Sequence, residues 1–154
     1  MKKTYIESIL LMERLHRRFL DVVKTELDRH KIEDINNIQT LLLYNINDSQ
    51  LTISELTVRG YYLGSNVSYN IKKLVESDYL IQEQSPHDKR SSKVKLSQKG
   101  MALCGKIDEL YEKNVTDLAA ANVDEAQLLT SNETLKRLER YWAEYMEKAY
   151  KPSF

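Results

Sequence analysis

Apolar side chains recur early in the chain at Tyr5, Ile9, Met12, Phe19, Val23 and Leu27, with His16 in the same stripe, in steps of three and four. That period predicts one long helix over residues 4 to about 30. Ile6, Leu10, Leu20 and Val22 widen its apolar face, so the helix needs packing partners on two sides. Residues 34–46 read as a second helix buried through Ile35, Ile38, Leu41 and Leu42, and residues 47–50 as a turn. Residues 51–60 read as a short third helix. Thr52 caps it, Glu55 completes a capping box, and Gly60 is the stop. A fourth helix begins at Gly64, with Val67, Ile71 and Leu74 as its inner face.

The period then shortens. Residues 79–84 and 93–97 alternate apolar and polar positions, which predicts a two-stranded hairpin around a polar tip. Helical spacing returns over residues 98 to about 121, with Leu103, Ile107, Leu110 and Leu118 on one face. Asn122 and Glu125 form a second candidate capping box that restarts a helix. Leu135, Leu138, Trp142, Tyr145 and Ala149 mark the last apolar stripe. The expected fold is mainly α with a small β-hairpin. Residues 35–100 form a compact winged helix-turn-helix unit, and residues 1–34 and 101–154 supply flanking dimerisation helices. Wide apolar faces at both chain ends are most simply buried in an isologous two-fold homodimer.

Composition narrows the class. The formal net charge is zero, and the single cysteine, Cys104, excludes an intrachain disulfide and a cysteine-based metal site. A reducing cytoplasm fits. The apolar patch Ile9–Met12 is too short for a signal peptide or a membrane span, and no longer apolar run follows. No nucleophile motif, phosphate loop or metal-ligand spacing is present, so neither an enzyme nor a cofactor is expected. His16 reads as an interfacial histidine and Cys104 as a buried, inert thiol.

Local charge is more informative. Residues 85–100 hold Lys89, Arg90, Lys93, Lys95 and Lys99 against the single acid Asp88. A helix advances about 100° per residue. Ser65, Asn66, Tyr69, Lys72 and Lys73 therefore lie opposite the inner face of the fourth helix, with Ser68 on its flank. This outer face is read as carrying no acid. Such side chains suit base edges in a major groove, and a positive helix N-terminus suits phosphate. A short helix, a turn, a second helix and a basic hairpin follow one another in helix-turn-helix-wing order. Such a module could instead dock on a partner protein; the outer face without acids argues against a basic partner.

The stretch "DKRSSKVKLSQKG" resembles the wing signature of the MarR family of winged helix-turn-helix transcriptional regulators. The matching positions are Asp88, Arg90, Leu96, Ser97 and Gly100. "NVSYNIKKLVESDYLI" is similar to that family's recognition helix and its exit into the wing. "YIESILLMERLHRRFLDVVKTELDR" and "RGYYLGSNVSYN" are similar to its LdtR-like alphaproteobacterial subgroup. The resemblance implies a homodimer on a pseudo-palindromic double-stranded operator, modulated by a small aromatic or phenolic effector. It implies a recognition helix, 64–77, in the major groove, with Ser65, Asn66, Ser68, Tyr69, Lys72 and Lys73 at the DNA. It implies a wing, 85–93, in the minor groove, through Asp88, Lys89, Arg90, Ser91 and Lys93. Arg90 reaches, Asp88 orients it, and Lys93 and Lys95 favour the phosphate backbone. Thr40, Tyr44 and Tyr61 offer polar tips for an effector site. Three positions depart from the common pattern: Tyr69 and Gln82 stand where many members have Arg, and Asp78 where many have Gly.

Overall fold

The computed structural model describes residues 1–60, 64–84 and 92–150. They form helices α1 (Lys2–Arg29), α2 (Asn37–Ile46), α3 (Ile53–Gly60), α4 (Gly64–Glu76), α5 (Gln98–Ala120) and α6 (Glu125–Tyr150). Strands β1 (Leu51–Thr52), β2 (Leu80–Glu83) and β3 (Lys93–Leu96) complete the list. The chain divides into two compact units, Met1–Leu110 and Tyr111–Phe154.

The helix starts follow their caps. Thr52 and Glu55 form the expected box: the Glu55 N–H donates to Thr52 Oγ1 at 3.1 Å, and the Thr52 N–H to Glu55 Oε2 at 2.7 Å. α2 starts three residues later than the hydrophobic pattern suggests. Asn36 is its cap, exchanging bonds of 2.8 and 3.1 Å with Gln39. α6 corrects the reading of Asn122 with Glu125. The box is formed by Asp124 and Gln127, at 2.8 and 3.0 Å. Asn122 instead ends α5 in a left-handed conformation, φ 59°. It lets the Val123 N–H reach the Leu118 carbonyl at 3.0 Å, closing a Schellman motif.

The same ending recurs after α1 at Lys31, φ 55°, and after α4 at Asp78, φ 61°. In the latter the Tyr79 N–H donates to the Leu74 carbonyl at 2.8 Å. Asp78 thus occupies the conformation that glycine adopts without steric cost. Asp78→Gly is expected to stabilise the protein by about 0.5 kcal/mol, because relief of the left-handed penalty exceeds the added freedom of the unfolded chain. A thermal melt checks this; a lower midpoint would refute it.

The sheet has three antiparallel strands in the order β1-β3-β2, not the two expected. Leu51 pairs with Val94, and Leu80 with Leu96. β1 escaped the sequence pattern because two residues carry no alternation, and Thr52 also caps α3. Around the sheet pack Leu42, Leu43, Ile46, Leu56, Val67, Ile71, Leu74, Tyr79 and Leu103, all buried. On α2 the buried side is rotated from the expected one: Ile38 is 50% exposed, while Leu43 and Ile46 are fully buried. At the start of this helix the Asn37 side-chain amide donates to the Leu20 carbonyl of α1 at 3.0 Å.

Among the described residues, α1 joins this core at Leu27, near its C-terminal end; Val23 and Glu26 of the same end are also buried. Tyr5, Ile6, Leu10 and Leu15 are exposed, as are Leu135, Tyr141, Trp142 and Tyr145 of α6. Buried Glu26 accepts from Arg29 Nη2 at 2.5 Å and pairs with His30 Nε2 at 2.9 Å. No helix among the described residues is long and apolar enough to cross a membrane.

Candidate nucleic-acid interface

α4 is held by its inner face. Val67, Ile71 and Leu74 are each buried in the core. Asn66, Ser68, Lys72 and Lys73 are exposed, and Tyr69 is 61% exposed. The side chain of Ser65 lies outside the described residues. Two residues that pattern reading missed brace this helix. Gln39, already the capping partner of Asn36, donates from Nε2 to Asn70 Oδ1 at 3.2 Å. Asn70 in turn donates from Nδ2 to the Asn66 carbonyl at 2.9 Å. The α2 cap and the first turns of α4 are thereby one hydrogen-bonded unit. No periodicity signal marks a polar pair between two helices.

The outer face of α4 is not free of acids. Glu76 stands on it, with Lys73 Nζ at 3.2 Å and Lys72 Nζ at 3.8 Å. It was missed because the outward side was read only as far as Lys73. Nine residues beyond Val67, at about 100° each, bring Glu76 to the centre of that side. Its hydrogen bond holds the Lys73 ammonium above the usual lysine range.

The wing tip, with Asp88, Lys89, Arg90 and Ser91, lies outside the described residues, and Tyr61 does too. The base of the wing is well defined. Gln82, in the family's arginine position, donates from Nε2 to Ser92 Oγ at 3.0 Å and ties the two strands. Lys93 is exposed, and its charge helps hold the Glu55 carboxyl below the usual range, behind the larger effect of the bonds from Thr52. Lys95 does not stand free for the phosphate backbone. It pairs with Glu83, which also accepts from Gln50 Nε2 at 2.8 Å. The hydrogen bond from Lys95 is the main reason that the Glu83 carboxyl is held low.

The second half of the wing signature proves to be a corner. Ser97 Oγ accepts from the Gly100 N–H at 3.0 Å and so caps α5, while the hydroxyl donates to the Asp78 carbonyl at 2.5 Å. The Ser97 N–H donates to the Tyr79 carbonyl at 3.1 Å. Lys99 is engaged here as well. Its ammonium donates to Asp34 Oδ2 at 2.5 Å and to the Ser77 carbonyl at 2.9 Å, and it lies 4.1 Å from the centre of the Tyr79 ring. Two of the five cations that make residues 85–100 look basic, Lys95 and Lys99, are therefore internal ties.

The residues proposed for an effector are placed as follows. Thr40 is 1% exposed and donates its hydroxyl to the Asn36 carbonyl at 2.8 Å. Half-buried Tyr44 donates to Asp108 Oδ1 at 2.6 Å. Cys104 is buried; desolvation, with Asp108 and Asp48 nearby, pushes its thiol up to about 11. That disfavours the thiolate that redox chemistry needs. His16 is exposed. Among the described residues, no group of three or more His, Cys, Asp or Glu is placed to hold a metal ion.

The winged helix DNA-binding domain family matches residues 35–100. Over 139 residues the chain is 38% identical to the exopolysaccharide II synthesis transcriptional activator ExpG of Rhizobium meliloti (strain 1021), covering 90% of this chain and 72% of that protein. Its fold is similar to Staphylococcus aureus MarR in complex with salicylate and kanamycin, with a TM-score of 0.75, 21% identity and 93% of each chain covered. It is also similar to a mutant of MarR from E. coli complexed with operator DNA, with a TM-score of 0.72, 20% identity, and 88% of this chain and 95% of that one covered. With a wing signature, a braced α4 and a transcriptional activator as relative, the chain belongs to the MarR family of winged helix-turn-helix DNA-binding transcriptional regulators.

Proposed function

We propose that this regulator acts in the cytoplasm as a homodimer on a pseudo-palindromic operator. α4 of each copy lies in a major groove, and the wing, through Arg90, in the adjacent minor groove. The observation that carries this reading is the division of α4. Its apolar side is locked in the core, and Asn66, Ser68, Tyr69, Lys72 and Lys73 stand outward from a helix braced by Gln39 and Asn70. A helix fixed in this way presents base-reading groups without an ordering cost on binding. Residues 1–34 and 101–154 supply the dimer contacts, in keeping with the exposed apolar residues of α1 and α6. A small aromatic or phenolic effector acts near Thr40, Tyr44 and Tyr61. The salicylate-bound relative supports that class of ligand.

Selection of bound sequences from random duplex DNA tests the reading. A two-fold consensus with half-sites about one helical turn apart is expected; a one-sided consensus, or none, would overturn it. Arg90→Ala is expected to weaken binding to the selected duplex about tenfold and to lower the slope of log affinity against log salt by about 1. Unchanged affinity across the salt series would remove Arg90 from the interface.

A further inference from the structure

We propose that Glu76 is a specificity-determining residue: by pairing with Lys72 and Lys73 it withholds both cations from the phosphates of unselected DNA. The inference rests on the DNA-binding reading of α4. Both lysines reach back to the same carboxylate, at 3.8 and 3.2 Å, although their side chains are 75% and 48% exposed. Solvent is available to each, so nothing in the packing forces the pairs.

Helix stability does not account for an acid at this position. Glu76 is the last residue of α4, at the negative end of the helix dipole, where a carboxylate is unfavourable. It also lies C-terminal to both lysines, and that order is the weaker one for an i,i+4 pair. What the carboxylate does change is the charge offered to DNA. Non-specific affinity is set by the cations that replace counterions on phosphates. Lysines held by Glu76 contribute less to it, whereas contacts to base edges from Asn66 and Tyr69 are unaffected. The wing repeats the arrangement at Lys95, which Glu83 holds. The elements that face DNA thus carry lysines partly neutralised in advance, and discrimination is left to shape and base contacts.

The test compares the full-length protein with Glu76→Gln, which keeps size and hydrogen bonding but removes the charge. Affinity is measured for a duplex of arbitrary sequence and for one from the random-DNA selection, over roughly 50–200 mM salt. Glu76→Gln is expected to tighten binding to the arbitrary duplex about tenfold and to steepen its salt slope by one to two. On the selected duplex the gain is two- to threefold, so discrimination falls. Adding Lys72→Gln and Lys73→Gln should remove the gain. If wild type binds DNA and Glu76→Gln matches it on the arbitrary duplex, the proposal is overturned. An equal gain on both duplexes overturns it too, since Glu76 then acts as general charge. If neither protein binds any duplex, the DNA-binding reading of α4 fails and this inference falls with it. A circular-dichroism melt confirms that the variants are folded.

Discussion

Gly100→Ala is expected to destabilise the protein by about 3 kcal/mol, whereas Gly105→Ala, in the same helix, is expected to stabilise it by about 1 kcal/mol. A Cβ added at Gly100 would lie 2.3 Å from the Tyr79 carbonyl oxygen and 3.4 Å from Leu96 Cδ2. The first obstacle is backbone and cannot swing aside. The Tyr79 carbonyl is already fixed by the Ser97 N–H at 3.1 Å, and Tyr79 itself closes the Schellman motif on Leu74. Room can be made only by moving the start of α5 away from the sheet. That weakens the Ser97 cap and opens the corner beneath the wing. Overpacking of this kind costs about 1–3 kcal/mol, and a lost buried backbone bond adds about 1 kcal/mol. The better helix propensity of alanine returns about 1 kcal/mol. An added Cβ at Gly105 would meet no atom of the described residues within 4 Å outside the adjoining turns of its own helix, so only the propensity gain remains. In thermal denaturation the Gly100 variant should melt roughly 6–10 °C lower and the Gly105 variant a few degrees higher. Two shifts of the same sign would show that propensity, and not the contact with Tyr79, governs position 100.

This pair marks where reading from sequence stops. The helical stripes located α1, α4, α5 and α6 well; in α4 and α5 the marked residues Val67, Ile71 and Leu74, and Leu103 and Ile107, recur at helical spacing and are buried. The Thr52–Glu55 box was legible because both partners lie within one turn. Gly100 was legible as part of a signature, but not as a close approach. The atom that requires it belongs to Tyr79, distant in sequence. The same limit applies to Glu83 with Lys95 and to Asp34 with Lys99, whose partners meet only after folding. Glu76 fails for another reason. Its position is computable from the helix period, but the outward side of α4 is followed in sequence only as far as Lys73, so the acid that pairs with Lys72 and Lys73 is left out. A cluster of cations in sequence is therefore a poor measure of the charge presented: Lys95 and Lys99 are engaged by Glu83 and Asp34, and Lys72 and Lys73 share Glu76.

Asp34→Ala is expected to cost about 2 kcal/mol at neutral pH, and the loss should depend on pH in a defined way. Asp34 accepts from the Tyr79 hydroxyl at 2.7 Å and from Lys99 at 2.5 Å, joining the segment before α2 to the corner where α4, β2 and α5 meet. Tyr79 is buried, so loss of its acceptor leaves a desolvated hydroxyl to find water or remain unpaired. Lys99 keeps the Ser77 carbonyl and the Tyr79 ring, and its pair with Asp34 is half-exposed and adds little. Burial alone would raise the Asp34 carboxyl, but the bonds from Lys99 and Tyr79 outweigh it and hold the group below its ordinary value of 3.8. The contribution is thus fully present above that value, and it is lost as pH falls through the lower folded value. The gap between wild type and Asp34→Ala should close in acid. Tyr79 runs the other way. Burial, reinforced by its bond to Asp34 and that residue's charge, raises the phenol well above its ordinary value of 10.0. Its contribution is complete below 10.0 and is lost as pH rises beyond it, since the unfolded phenol ionises first. Tyr79→Phe should therefore flatten the alkaline limb and also shrink the acid one without abolishing it, because it removes one of the two bonds that hold Asp34 low and leaves the Lys99 pair. Urea unfolding across the pH range separates the two limbs. An Asp34→Ala loss that stays constant into strong acid would show that the carboxylate is not what Tyr79 and Lys99 hold.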